Sequence, residues 1–247
     1  MKDALVRYTP FGSEQELKLS PSIVRQYLVS GTGNVSDQEV TMFIQLCRFQ
    51  GLNPYLREAY LIKYGSQPAT IVTGKDAFTK RAEAHPEFRG MQAGVVVQAN
   101  GELVYRPGSL VLDGEQVVGG WAKVWKKDRE VPYETSVAFD EYVGRKSDGT
   151  VNRQWKEKPA TMIRKVALVQ ALREAFPDSL GGMYDSSEMS HVDPAVLEEK
   201  DVSPPPDEQE KIAEKEPVED AKVGTEPAID EKAADAGFND EKNLEIF

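Results

Sequence analysis

The sequence predicts an α+β fold in which an antiparallel sheet packs against helices. Apolar residues recur at helical spacing in two well-separated stretches, 35–54 and 155–176, with alternating, turn-punctuated segments between them. The segments run helix, hairpin, helix, meander, helix. This is not the strand–helix alternation of a doubly wound sheet.

The first helix is written in "VSDQEVTMFIQLCRFQGLNP". Ser36 and Glu39 have the spacing of a capping box, Val40, Phe43, Ile44 and Cys47 form the apolar side, and Gly51 with Pro54 ends the element. "EAYLIKYGSQPATIVTG" reads as two strands around a Gly-Ser-Gln-Pro turn. "KDAFTKRAEAHP" reads as a short helix stopped by Pro86, with His85 as a capping or surface residue. Residues 88–139 supply several strands, broken at Asn100-Gly101, Pro107-Gly108, Asp113-Gly114 and Gly119-Gly120. "FDEY", 139–142, is a strand-to-helix corner, and "GRKSDGTVNRQWKEKP" a loop leading into the last helix. The chain shows no internal repeat.

Charge divides the molecule. The net charge is −11, yet residues 191–247 hold 18 Asp/Glu against 6 Lys/Arg, a net of −12, leaving 23 acids against 24 bases before them. That segment is rich in Pro, Glu, Lys and Ala and poor in aromatics, so it cannot bury enough apolar surface to offset the entropy of ordering. The sequence therefore divides into a variable N-terminal segment, 1–34, a folded region, 35–190, and an acidic disordered tail, 191–247.

Several chemistries find no support. The single cysteine, Cys47, lies in an apolar stretch and reads as a core thiol; two histidines cannot build a His-rich metal site. Gly74-Lys75 is the nearest approach to a phosphate loop, but Asp76 stands where Ser or Thr is needed. No cofactor is expected, and magnesium would act through bound nucleic acid. A magnesium-dependent nuclease is the enzymatic alternative. Its ligands would be Asp140 and Glu141, and its acid-x-Lys triplets, Glu16-Leu17-Lys18 and Glu198-Glu199-Lys200, sit in polar end regions. With no apolar run of the ~18 residues a membrane span needs and no signal-peptide core, a cytoplasmic location is expected.

The chemistry present is basic. From Gly144 to Arg173, Arg145, Lys146, Arg153, Lys156, Lys158, Arg164, Lys165 and Arg173 face only Asp148 and Glu157, a local net of +6 that suits a polyanion. Trp155 in their midst offers a base-stacking surface, worth ~1–3 kcal/mol per base. "GGWAKVWKKDREVP" adds Lys123, Lys126, Lys127 and Arg129; as a strand it puts Trp121, Lys123, Trp125 and Lys127 on one face, with one of the two tryptophans in the core. In the last helix Met162, Ile163, Val166, Val169, Leu172 and Phe176 form an apolar side. Lys158 and Lys165 share a face, Arg173 lies about 80° further round, and Arg164 falls nearly opposite Arg173, suited to an acid inside the protein.

Four ordered blocks, "CRFQGLNPYLREAYLIKY", "GKDAFTKRAEAHPEFRGM", "WKKDREVP" and "WKEKPATMIRKVALVQALREAFP", the last followed by "GGMYDSSE", resemble the phage RecT/Redβ (Bet) single-strand annealing recombinases over residues 35–190. The resemblance implies ATP-independent, non-catalytic binding of single-stranded DNA and pairing of complementary strands through an annealed duplex intermediate. It also implies a homo-oligomer, ring or helical filament, working beside a phage exonuclease in a bacterial host cell. Arg57, Arg164, Lys165 and Arg173 fall at positions the family keeps basic or uses for DNA. Ala160 or Thr161 stands where some members are basic, and Lys156 and Lys158 compensate. A passive single-strand coating protein is the other alternative. The tail ends in "NDEKNLEIF", similar to the acidic, Phe-ending tip of bacterial single-strand-binding proteins, so that protein or its partners are further expected contacts.

Overall fold

The computed structural model describes residues 4–127, 129–146 and 148–189; the expected acidic tail lies outside them. Strands β1 (Val6–Tyr8) and β2 (Leu17–Leu19) pair antiparallel, and Tyr8, Leu17 and Leu19 enter the core. Ser20 then caps the turn α1 (Pro21–Ile23), which widens into a π-helical stretch, Val24–Leu28, before β3 (Val29–Gly31).

α2 (Asp37–Gln50) forms as its sequence dictates. The Ser36 hydroxyl accepts from the Glu39 amide at 3.2 Å, and the Glu39 carboxylate accepts from the Ser36 amide at 2.8 Å. Gly51 closes the helix in the left-handed region at φ 53°, and Val40, Phe43, Ile44 and Cys47 are buried. The expected hairpin is β4 (Ala59–Lys63) and β5 (Thr70–Thr73). β3 joins its other edge in parallel, with α2 serving as the crossover that parallel pairing needs. Three residues of "VSG" are too few to reveal such pairing in the sequence.

α3 (Lys75–Ala84) stops before His85-Pro86. The meander follows as β6 (Phe88–Ala99), β7 (Glu102–Pro107), β8 (Gln116–Lys126) and β9 (Tyr133–Ala138), antiparallel in the order β7-β6-β8-β9. Asn100 and Gly101 take positive φ values of 51° and 83° and make the tight β6–β7 turn. Gly119-Gly120 is not a strand break; it lies inside β8. A Cβ on Gly120 would come within 2.5 Å of the Ile163 carbonyl, so Gly120 marks where a helix presses on the sheet, whereas one on Gly119 would meet the Val137 carbonyl of the neighbouring strand at 2.6 Å.

After the corner α4 (Phe139–Tyr142), part of the expected loop folds as a separate helix, α5 (Arg153–Glu157), because the Asn152 side chain caps the Trp155 amide at 3.1 Å. α6 (Pro159–Ala175) consequently starts at Pro159, not at Trp155, and α7 (Pro177–Leu180) follows. α6 packs on β6, β8 and β9 and also touches α3 and α7. Ala167, Leu168 and Ala171 are therefore buried beside the expected apolar side. Gly120, Ala122 and Val124 alternate toward α6; Trp121 is buried on the sheet's other face, its indole N–H donating to the Arg106 carbonyl at 3.3 Å.

Candidate nucleic-acid interface

Arg57, Lys75 and Lys165 come from distant parts of the chain and edge one groove of about 440 Å³, with Tyr60, Thr73 and Asp185 in its wall. Arg57 follows the 3-10 turn Pro54–Leu56 in the left-handed region, at φ 60°. Asn53 fixes that turn by accepting from the amides of Tyr55 and Leu56 at 3.0 and 3.3 Å. Gly74 allows the close approach beside it, since a Cβ there would meet the Arg57 carbonyl at 2.6 Å. Gly74 also begins α3 without a side-chain cap, so the first-turn amides carry their partial positive charge toward the groove that Lys75 lines.

Lys165 reaches the groove from the middle of α6, with Nζ 2.9 Å from Asp185 Oδ1. Asp185 is 1 % exposed. Its Oδ1 also accepts from the Ser187 amide and hydroxyl at 2.8 and 2.7 Å, and Oδ2 has no hydrogen-bond partner among the described residues. One carboxylate contact leaves an ammonium with N–H groups for a second anion.

Arg173 is placed differently. Its guanidinium donates to both Glu188 oxygens, at 3.0 and 2.5 Å, and to the Met183 carbonyl at 3.1 Å, and lies over the Tyr184 ring. The Glu188 bonds hold it above the usual arginine pKa. Arg173 thus buckles the turn after α7 onto α6, and the same turn presents Asp185 to Lys165.

The remaining predicted cations fall in two other places. Arg153 pairs with Glu157 along α5, and Lys156 and Lys158 are exposed where α5 meets α6. Lys123 pairs with Glu134 at 3.2 Å, Lys126 pairs with Glu87 at 2.8 Å, Lys127 is exposed, and Arg129 covers the Tyr133 ring at 4.2 Å. Arg164 donates to the Ala93 carbonyl at 3.2 Å, an inward partner that is backbone rather than an acid. Trp155 corrects the stacking expectation. The ring is 2 % exposed and edge-on to Phe139 at 5.5 Å, so no base can stack on it in this fold. Lys75 stands out in the sequence only as part of Gly74-Lys75, the nearest approach to a phosphate loop; a lysine opening an uncapped helix is the signal that marks it.

The acids of the nuclease alternative do not converge. Asp140 and Glu141 lie in the first turn of α4, Glu16 and Lys18 flank and enter β2, and Glu198-Glu199-Lys200 lies outside the described residues. Among the described residues no group of three potential metal ligands occurs, and no helix is long and apolar enough to cross a membrane.

The groove matches Arg57, Lys75 and Lys165 with Glu58, Asp76 and Asp185, and Lys75 Nζ lies 3.1 Å from Asp76 Oδ1, so what it offers an anion is N–H donors beside an uncapped helix N-terminus rather than a surplus of positive charge. The chain belongs to the RecT family, whose family model matches residues 14–204. It is 22% identical over 164 residues to the recombination protein bet of Escherichia phage lambda, covering 65% of this chain and 54% of that protein. It is also 27% identical over 171 residues to an uncharacterized protein of Ureaplasma parvum serovar 3, covering 68% of this chain and 67% of that protein. The chain thus spans about half the length of the lambda protein.

Proposed function

We propose that the chain binds single-stranded DNA along this groove and anneals complementary strands without ATP, as a non-catalytic protein of phage homologous recombination. The observation that carries the reading is the meeting of Arg57, Lys75 and Lys165 around one groove in a RecT-family chain. Arg57 and Lys165 are the two residues expected from sequence to touch DNA that share it. Lys127, Arg129 and Lys156 are exposed and would supply further phosphate contacts away from the groove.

Each cation neutralises a phosphate and releases counterions, giving affinity that ignores sequence. Bases held only by their backbone keep their pairing edges open to a second strand. Pairing then breaks no covalent bond, so magnesium serves by screening DNA. The reaction consumes single strands with exposed bases, which fits an exonuclease as the partner and copies of the chain arrayed along the strand. Its place is the cytoplasm of the bacterial host.

Fluorescently labelled complementary oligonucleotides, mixed with the protein with and without ATP and magnesium, test the reading. Duplex formation faster than the spontaneous rate and indifferent to ATP is expected. Shortened strands in magnesium would identify a nuclease, and protected strands that pair no faster would identify a passive coat.

A further inference from the structure

Two surface features lie apart from the groove of Arg57, Lys75 and Lys165. α2 turns Met42 and Phe49 outward, 59 % and 81 % exposed and one heptad apart on the same helix face. A groove of about 920 Å³ opens where α4 and the β7–β8 loop meet the first turn of α6, lined half by apolar side chains, Leu110, Phe139 and Pro159 among them, and half by polar groups such as Ser109, Gln116 and Thr161. On its rim Glu115 pairs with Arg106 and Glu157 with Arg153, which leaves Asp140 and Lys158 without an ion pair among the described residues.

These features sit at opposite ends of α6. Lys158 to Thr161, where that helix begins, line the groove, whereas Gln50 at the end of α2 donates to the Gly181 carbonyl, just past α7 beyond the other end. The 17-residue helix spans about 25 Å. Two different surfaces on one chain that joined between copies would make a heterologous contact, the kind that propagates into a ring or filament.

We propose that the Met42–Phe49 face of α2 docks into this groove on the next copy of the chain, against its Leu110, Phe139 and Pro159 side. The proposal rests on the self-assembly in the reading above and names its interface. Charge selects the occupant. Arg48, exposed beside Phe49, and Asp140, exposed on the groove rim, have no ion pair with each other or with another residue among those described, and the contact joins them. The repeat would carry Arg57, Lys75 and Lys165 from copy to copy along one strand.

Phe49→Glu and Leu110→Glu alter side chains 81 % and 66 % exposed, so both variants should melt like the unaltered protein. Sedimentation with a long single-stranded oligonucleotide, and without it, reads the assembly. The unaltered protein is expected as many copies in contact and each variant as single copies. An equimolar mixture should stop at two, because joining the intact α2 of Leu110→Glu to the intact groove of Phe49→Glu leaves only damaged surfaces. Arg48→Glu and Asp140→Arg should each weaken assembly, and the double variant should regain it. Variants that assemble like the unaltered protein, a mixture that stays single, or a double variant without recovery would overturn this interface and leave assembly standing. Unaltered protein that never self-associates would overturn assembly itself.

Discussion

Trp155 lies among bases in the sequence, yet its ring points into the core, and Gly144 makes room for it. A Cβ at Gly144 would sit 2.9 Å from the indole. Trp155→Ala should therefore cost about 3–5 kcal/mol of stability, as large-to-small core changes do. Denaturant melts would measure this, and DNA affinity corrected for the folded fraction should be unchanged. The groove cations behave oppositely. Arg57→Ala and Lys75→Ala should leave the melt nearly unaltered while each reduces the salt slope of single-strand binding by ~0.7, one phosphate contact's counterion release. Binding titrations over a salt series read that slope; slopes that stay put in folded variants would remove the groove as the DNA site. The basic cluster from Gly144 to Arg173 made Lys165 legible as a candidate, and the family resemblance did so for Arg57. Their convergence with Lys75 was not legible, since it depends on a tertiary approach through Gly74. The same limit hid Arg173, whose buckle to Glu188 depends on a turn folding back over α6.

Elements with local codes were read correctly, and Glu39 shows how such a code can also serve the tertiary fold. It completes the α2 capping box, and its other oxygen takes Lys63 Nζ at 2.6 Å and the Ala69 amide at 2.7 Å, tying α2 to the β4–β5 hairpin. The Lys63 bond first, then the two amides, hold its carboxyl down at about 2. Because the folded pKa lies below the unfolded value of about 4.3, the carboxylate's stabilisation is complete above that value and is lost as pH falls toward 2. Glu39→Gln should thus melt lower than the unaltered protein at pH 7, and the gap should close between about pH 4.3 and 2. Thermal melts across that window measure it; a gap constant with pH would mean the charge contributes nothing. The hairpin and α3 were likewise legible through turn residues and a stopping proline. What escaped were two features set by their surroundings, β3 pairing in parallel and Gly120 kept small for α6, and one short local element, α5, whose asparagine cap lies inside a turn-rich segment.

On the scale of the whole chain, the expected α+β class holds, because the order of helices and turn-punctuated strands leaves few ways to cover an antiparallel sheet. Charge is the other large-scale property. The residues before 191 are close to neutral at net +1, and the groove repeats that balance, with Arg57, Lys75 and Lys165 set against Glu58, Asp76 and Asp185. Residues 191–247 carry −12, more than the entire net charge of the protein. A tethered polyanion competes with DNA phosphate for the same cations at a high effective concentration. Removing residues 191–247 should therefore tighten single-strand binding at low salt. The gain should shrink as salt rises, since screening shortens to about 8 Å at 0.15 M and to about 3 Å at 1 M. Fluorescence anisotropy of a labelled oligonucleotide, titrated with full-length and shortened protein at two salt concentrations, reads both effects. Equal affinities at low salt would show that the tail does not reach the groove, and loss of binding by a shortened protein that still melts cooperatively would show that the tail is part of the DNA site.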